Sequence, residues 1–303
     1  MTIMKFKAAA IQTTVVPEDK ETNIKNALNL YDEAVEEGAD VVCFPEYFLT
    51  FPPHNRMGKE KVKSMAETIP GPSIDKFREK ARETKTYCVA GSIIEITEDG
   101  KLYNTSALIG PDGQVIGKYS KVHPENAPAK FGPGSGILPG KGDYPIFETK
   151  LGRFGIMIDM DATNPEVALT YGLKGADVIF LPICWSAKFI SGIDMLSTVN
   201  SRHHAYVVFA NPVGWRKNVP VHEWAFLHQT DVDMVYGGGS GIALGTILAR
   251  VPTYSEGVAL ATIDTDKLKK SRENDATIYP YWRRPETYTT LTDPKTSRPY
   301  GTK

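Results

Sequence analysis

The sequence predicts an α/β fold of stacked layers. Three observations carry this: apolar strand-like runs alternate with amphipathic helical stretches, one strand pair reads as a hairpin closed by Asp-Gly, and strands of the same kind resume after a long Pro- and Gly-rich loop. Ala8 to Gln12 reads as the first strand. Ile24, Ala27, Leu28, Tyr31, Ala34 and Val35 then share one helical face, Gly38 stops the helix, and Asp40 to Phe44 forms the second strand. A second unit follows, with a helix from about Ile74 to Thr84 and a strand from Tyr87 to Ile94. Tyr103 to Ile109, the turn Asp112-Gly113, and Gln114 to Gly117 read as an antiparallel hairpin. Residues 122–150 hold Pro124, Pro128, Pro133, Pro139, Pro145 and five glycines, a loop rather than a domain linker. Strands resume at Phe154. Then come Val178 to Leu181, a helix around Ile193 to His203, and strands at Tyr206 to Ala210, Ser240 to Leu244 and Ala259 to Ile263.

At 303 residues, 41% apolar and 23% charged, the chain can build one large α/β core or two ordinary ones. Its net charge of −1 argues against a nucleic-acid or polyanion partner. Cys43, Cys88 and Cys184 are an odd set in apolar, strand-like contexts, so no disulfide framework is expected and a reducing cytosol fits. Charges interrupt the apolar residues of the first seven positions, unlike a signal peptide, and no uncharged apolar run approaches the ~20 residues of a membrane helix. The expectation is a soluble cytoplasmic protein with no membrane partner. Residues 1–270 read as one domain. From Ser271 periodicity is lost and Tyr279-Pro280-Tyr281-Trp282-Arg283-Arg284-Pro285 follows, so residues 271–303 read as a C-terminal arm laid on this subunit or a neighbour, and a homo-oligomer is expected.

Three strand ends carry ionisable residues. Glu46 closes Val41-Val42-Cys43-Phe44-Pro45-Glu46, and Lys121 closes the run from Gln114 to Lys121. Asp159 ends the apolar run Gly155-Ile156-Met157-Ile158, before an expected N-cap at Asn164, Pro165 at the first helical position and a stop at Gly175. With these segments side by side, the chain resembles the nitrilase, or carbon–nitrogen hydrolase, superfamily. The resemblance rests on Phe44-Pro45-Glu46, Tyr119-Ser120-Lys121-Val122-His123 and Asp159-Met160-Asp161 with Pro165-Glu166, in matching order and spacing. Lesser matches at Ala9-Ala10-Ile11-Gln12, Tyr103-Asn104-Thr105, Pro111-Asp112-Gly113 and Ala210-Asn211-Pro212-Val213-Gly214 extend it over roughly residues 5 to 265. It implies a four-layer α-β-β-α sandwich, action on a small amide, nitrile or related nitrogen compound, and no cofactor. It also implies Glu46 as general base and Lys121 as the cation that stabilises developing negative charge.

The family nucleophile is a cysteine, and here that position holds Asp159. A carboxylate is a poor nucleophile toward an amide, because attack yields a more reactive anhydride and expels a bad leaving group. Two acids, Glu46 and Asp159, would surround one ammonium. Like charges at close range raise one carboxyl pKa, so either one acid stays protonated or the pocket recruits a cation, and a preference for a cationic ligand over an anionic isostere of the same size is expected. The second glutamate usual after the family's lysine has no obvious counterpart; Glu125 and Glu148 are what residues 122–150 offer. The readings left open are an enzyme with a changed mechanism on a Glu46–Lys121–Asp159 site and a catalytically silent homologue that binds a small ligand or a protein partner. A chain whose catalytic cysteine has been replaced by aspartate is a third.

Cys184 follows the strand Asp177 to Pro182 at a crevice-lining end, where a relocated nucleophile is geometrically conceivable. Cys184, Trp185, Tyr47 and Glu125 make up the candidate substrate-binding set. Gly237-Gly238-Gly239-Ser240-Gly241 lacks the strand–loop–Lys context of a phosphate cradle and reads as a turn into a strand. His203-His204, His222 and His228 match no zinc spacing, so no metal is expected.

Overall fold

The computed structural model describes residues 5–53, 57–124, 136–202, 204–219, 232–274 and 283–293. In chain order the elements begin with β1 (Lys5–Gln12), α1 (Lys20–Glu36), β2 (Val41–Cys43), α2 (Lys59–Met65), α3 (Pro72–Thr84), β3 (Tyr87–Ile96), β4 (Leu102–Ile109) and β5 (Val115–Ser120). There follow β6 (Ile137–Leu138), β7 (Phe147–Thr149), β8 (Gly152–Ile156), α4 (Pro165–Leu173), β9 (Val178–Pro182), α5 (Ile190–Ser201) and β10 (Tyr206–Ala210). The chain continues with β11 (Val213–Val219), β12 (Val232–Gly237), β13 (Gly241–Ala243), β14 (Ile247–Arg250), β15 (Gly257–Asp264) and α6 (Thr265–Asn274).

These strands form two main sheets. The first runs β15-β1-β2-β3-β4-β5, with β6 beside β4; the second runs β14-β13-β10-β9-β8-β7. Each has a parallel centre, β1-β2-β3 and β8-β9-β10, and antiparallel flanks. Parallel neighbours need a crossover, and α1, α3, α4 and α5 supply it.

Alternation along the strands sorts side chains into three cores. Ala8, Ala10, Val41 and Cys43 from the first sheet meet Phe154, Ile156, Val178, Phe180 and Val208 from the second in one central cluster. Their neighbours Ala9, Ile11, Val42 and Phe44 turn the other way, against Ile24, Ala27, Tyr31, Ile74 and Phe77 of α1 and α3. On the far side, Ile179, Leu181, Val207 and Phe209 pack on Val167, Ala168 and Tyr171 of α4 and Ile193 of α5. Period-2 strands buried on both faces therefore give helix, sheet, sheet and helix layers, the expected α-β-β-α sandwich. Phe154 joins the middle layers: its ring lies 6.0 Å from Phe6, 6.1 Å from Tyr87 and 5.0 Å from Phe180.

The structure differs from the sequence reading in several places. Asn164 stands at the N-cap position of α4 but makes no side-chain cap bond. Its Nδ2 donates to Met160 O at 2.8 Å, because a 3-10 turn over Asp159–Thr163 fills the space before the helix. The stretch 122–150 is not all loop, since it holds β6 and β7. Helical regularity also continues past Ser271 to Asn274, where Arg272 holds the helix down: it pairs with Asp177 at 3.1 Å and donates through Nε to His204 O at 2.9 Å.

Candidate active site

Each central side chain sits where a strand stops. Beyond β2 the chain turns after Phe44-Pro45, and Glu46 N donates to Ile183 O (3.2 Å), crossing from the first sheet to the second. Lys121 is the residue after β5, and its N–H continues the pairing with β4 by donating to Asn104 O at 2.8 Å. Beyond β8, Met157 N still donates to Phe180 O (3.0 Å), and then Asp159 breaks the strand at φ 48°. That is left-handed space, which aspartate tolerates better than bulky residues do and which aims its carboxylate back between the sheets.

The three side chains converge. Lys121 Nζ lies 2.9 Å from Glu46 Oε1 and 2.8 Å from Asp159 Oδ2. Relative exposures are 2% for Glu46, 3% for Lys121 and 0% for Asp159, so solvent screens little of this set. Asn104 Nδ2 donates to the same Glu46 Oε1 at 2.6 Å. Burial, and then the charge of Asp159, push the Glu46 carboxyl up to about 8, against the opposing pull of Lys121 and the Asn104 bond. Of the two electrostatic outcomes the sequence leaves open, this favours a protonated acid: one carboxylate, one ammonium and one neutral carboxyl give a set with no net charge.

A third buried acid, Asp161, holds the frame. Tyr119, Lys121 and His123 stand two residues apart, so a strand-like path directs all three toward the same side. Asp161, fully buried, accepts from Tyr119 OH at 2.7 Å, His123 N at 2.9 Å and Ile158 N at 3.0 Å, with His123 Nδ1 at 2.7 Å. Asp161 thus ties the segment after β5 to the elbow after β8, fixing Lys121 opposite Asp159.

The other sequence candidates lie at varying distance from this centre. Cys184 is buried beside Val15, Phe51 and Tyr236, and its backbone N reaches Asp159 Oδ1 at 3.5 Å, the far edge of hydrogen-bond length. Trp185 donates its backbone N–H to Asn211 Oδ1 (2.8 Å) and packs its indole against the core beneath α5, beside Leu181, Ile183 and Ile193. Tyr47 follows Glu46 with φ 48°, donates its N–H to Ser92 Oγ at 3.1 Å, and packs with Val62, Ile94, Leu102 and Ile137. Glu125 lies outside the described residues. Burial raises the Cys43 and Cys88 thiols well above the ordinary range, which suits core residues. Among the described residues, no group of three or more His, Cys, Asp and Glu side chains could hold a metal ion, and no helix is long and apolar enough to cross a membrane.

Asn104 and Asp161 are the contributors that sequence reasoning did not single out. Both lie inside the matching segments, which was the clue available, and Asp161 also stands two residues from Asp159.

The Carbon-nitrogen hydrolase family model matches residues 7–273. Omega-amidase NIT2 of Homo sapiens is 29% identical over 282 residues, covering 88% of this chain and 92% of that protein. Omega-amidase NIT2 of Xenopus tropicalis is 34% identical over 182 residues, 59% of this chain and 63% of the relative, so this chain spans less than two thirds of that relative's length. Among solved structures, Saccharomyces cerevisiae Nit3, of the nitrilase superfamily, superposes with a TM-score of 0.73 at 24% identity, covering 91% of this chain and 97% of that one. A carbon-nitrogen hydrolase from Helicobacter pylori superposes with a TM-score of 0.79 at 18% identity, covering 96% and 99%. Two facing sheets with helices outside them, and a sequence match across nearly the whole described length, place this chain in the carbon–nitrogen hydrolase family.

Proposed function

We propose that this chain hydrolyses the C–N bond of a small neutral amide, or a related nitrogen compound, by direct attack of water. In this reading Glu46, Lys121 and Asp159 act as an acid–base set without a covalent intermediate. The observation that carries the reading is the single ammonium of Lys121 bridging two buried carboxyls at 2.9 and 2.8 Å; burial and the charge of Asp159 raise the Glu46 carboxyl, which favours its acid form. Two carboxyls sharing one proton can act as base and acid in one cycle.

In the proposed cycle, ionised Asp159 takes a proton from water as the water oxygen bonds to the carbonyl carbon. The oxyanion is stabilised by Lys121 Nζ. Glu46 gives its proton to the departing nitrogen as the C–N bond breaks, leaving a carboxylic acid and ammonia or an amine. Afterwards Asp159 is protonated and Glu46 ionised, and one proton passing back restores the start. Because Lys121 touches both acids, the negative charge is compensated in either state. The amidase names of the relatives support amides as the first substrates to try, with those bearing an ω-carboxamide among them.

The test is ammonia release from a panel of amides, nitriles and carbamoyl compounds, for this chain and its Asp159→Cys variant, with hydroxylamine as a competing acceptor. Release by the native chain with no hydroxamate supports direct hydrolysis. Hydroxamate from the native chain means a covalent acyl intermediate, with Cys184 the first residue to search for the adduct. Full burial of the set favours a second reading, a silent homologue that holds a ligand. That reading is upheld if only Asp159→Cys releases ammonia.

A further inference from the structure

Glu46 Oε1 receives two donors, Lys121 Nζ at 2.9 Å and Asn104 Nδ2 at 2.6 Å, while among the described residues Oε2 receives none. Asn104 is 1% exposed, and its Oδ1 is buried with no hydrogen-bond partner among the described residues. The reverse orientation of the amide would bury two N–H donors in that same place, so the orientation seen leaves the smaller deficit. Asn104 is also fixed through its backbone, since its carbonyl accepts from Lys121 N at 2.8 Å. The same residue of β4 therefore braces both the acid and the ammonium.

We propose that Asn104 is a positioning residue: by occupying Glu46 Oε1 together with Lys121, it confines the Glu46 proton to Oε2, the oxygen left open to a departing nitrogen. A carboxyl oxygen that accepts two N–H bonds has no lone pair in place for a proton, so the acid form carries its hydrogen on the other oxygen. Among the described residues, the groups facing Glu46 are Lys121 from the end of β5, Asp159 from the elbow after β8, and Asn104 from β4. Of these, Asn104 alone is uncharged, so its removal changes the bonding without changing the charge. The functional meaning rests on the acid role proposed for Glu46; the bonding itself does not.

The experiment is infrared spectroscopy of the whole chain labelled with ¹³C-glutamate, the Glu46 carboxylic C=O band being assigned by its loss in Glu46→Gln. If Oε1 is the carbonyl oxygen, Asn104→Leu removes one of its two donors and the band moves to higher frequency. Its titration midpoint should also rise above about 8, because the lost bond favoured the ionised form. Asn104→Ser, whose hydroxyl is too short to reach Oε1, should behave alike and serves if the leucine variant does not fold. A band unmoved in frequency in the folded variants would place the proton on Oε1 and overturn the proposal. With an active amide, kcat should fall about 10- to 100-fold while KM changes little. If no amide is hydrolysed but the band moves, the hydrolytic reading fails and the positioning of the proton stands.

Discussion

Asp159 occupies left-handed backbone at φ 48° with no exposed surface, and its charge is the second cause, after burial, of the raised Glu46 carboxyl. Glu46 binds its proton up to about 8 in the folded chain, against an ordinary value of 4.5, so between these limits the native state holds more protons than the unfolded chain. The stability contributed by this group is therefore present below that window and lost as pH rises through it. Asp159→Asn removes the neighbouring charge but not the burial, so the total fall should become smaller and end at a lower pH without vanishing. Urea midpoints measured from about pH 5 to about pH 9 check this, and an equal total fall ending at the same pH in the two proteins would remove Asp159 as a cause.

The element that matters most to the site is the junction between the end of β5 and the elbow after β8, made by Asp161. Tyr119→Phe deletes the 2.7 Å bond to Asp161 Oδ2 and keeps the ring, so it should destabilise by about 1.5–3 kcal/mol in denaturant titration. It should also lower activity, by loosening Lys121 relative to Asp159. Glu46, Lys121 and Asp159 are legible in the sequence because the three segments that hold them match the family in order and spacing; Glu46 and Asp159 also end apolar runs. Asn104 is less legible: it lies inside β4, and its contact with Glu46 exists only once β4 has paired with β5 and the turn after β2 has come alongside. The same reasoning divides the elements. Helices with one-faced patterns, such as α1 and α3, are read correctly from periodicity. The ribbon β11–β12 is not, because Val213-Gly214-Trp215-Arg216-Lys217 has no alternation and leaves Trp215 exposed. Asn164 shows the limit of a cap signature, since a turn upstream diverted its side chain.

Across the whole molecule, three buried layers of side chains separate four layers of backbone, and the outer surface of α5 carries exposed Met195 at 63% and Val199 at 40%, one turn apart. A self-associating chain would cover such a pair, and homo-oligomerisation is the expected state. Sedimentation equilibrium should give a mass above 33.4 kDa for the native chain, with Met195→Asp/Val199→Asp shifting it to that monomer value. A native monomer at micromolar concentration would refute the expectation.

The central core has an electrical consequence of its own. Glu46 and Lys121 hang from one sheet and Asp159 from the other, while Phe154 and Phe180 help set the spacing between the sheets. Coulomb energy in a medium of low polarity changes steeply with a few tenths of an ångström, so a void opened among those rings would be felt as a change in proton affinity at the strand ends. The carboxyl at residue 46 should thereby serve as a gauge of sheet separation, mechanical slack opened by Phe154→Leu being read as a shift in its titration.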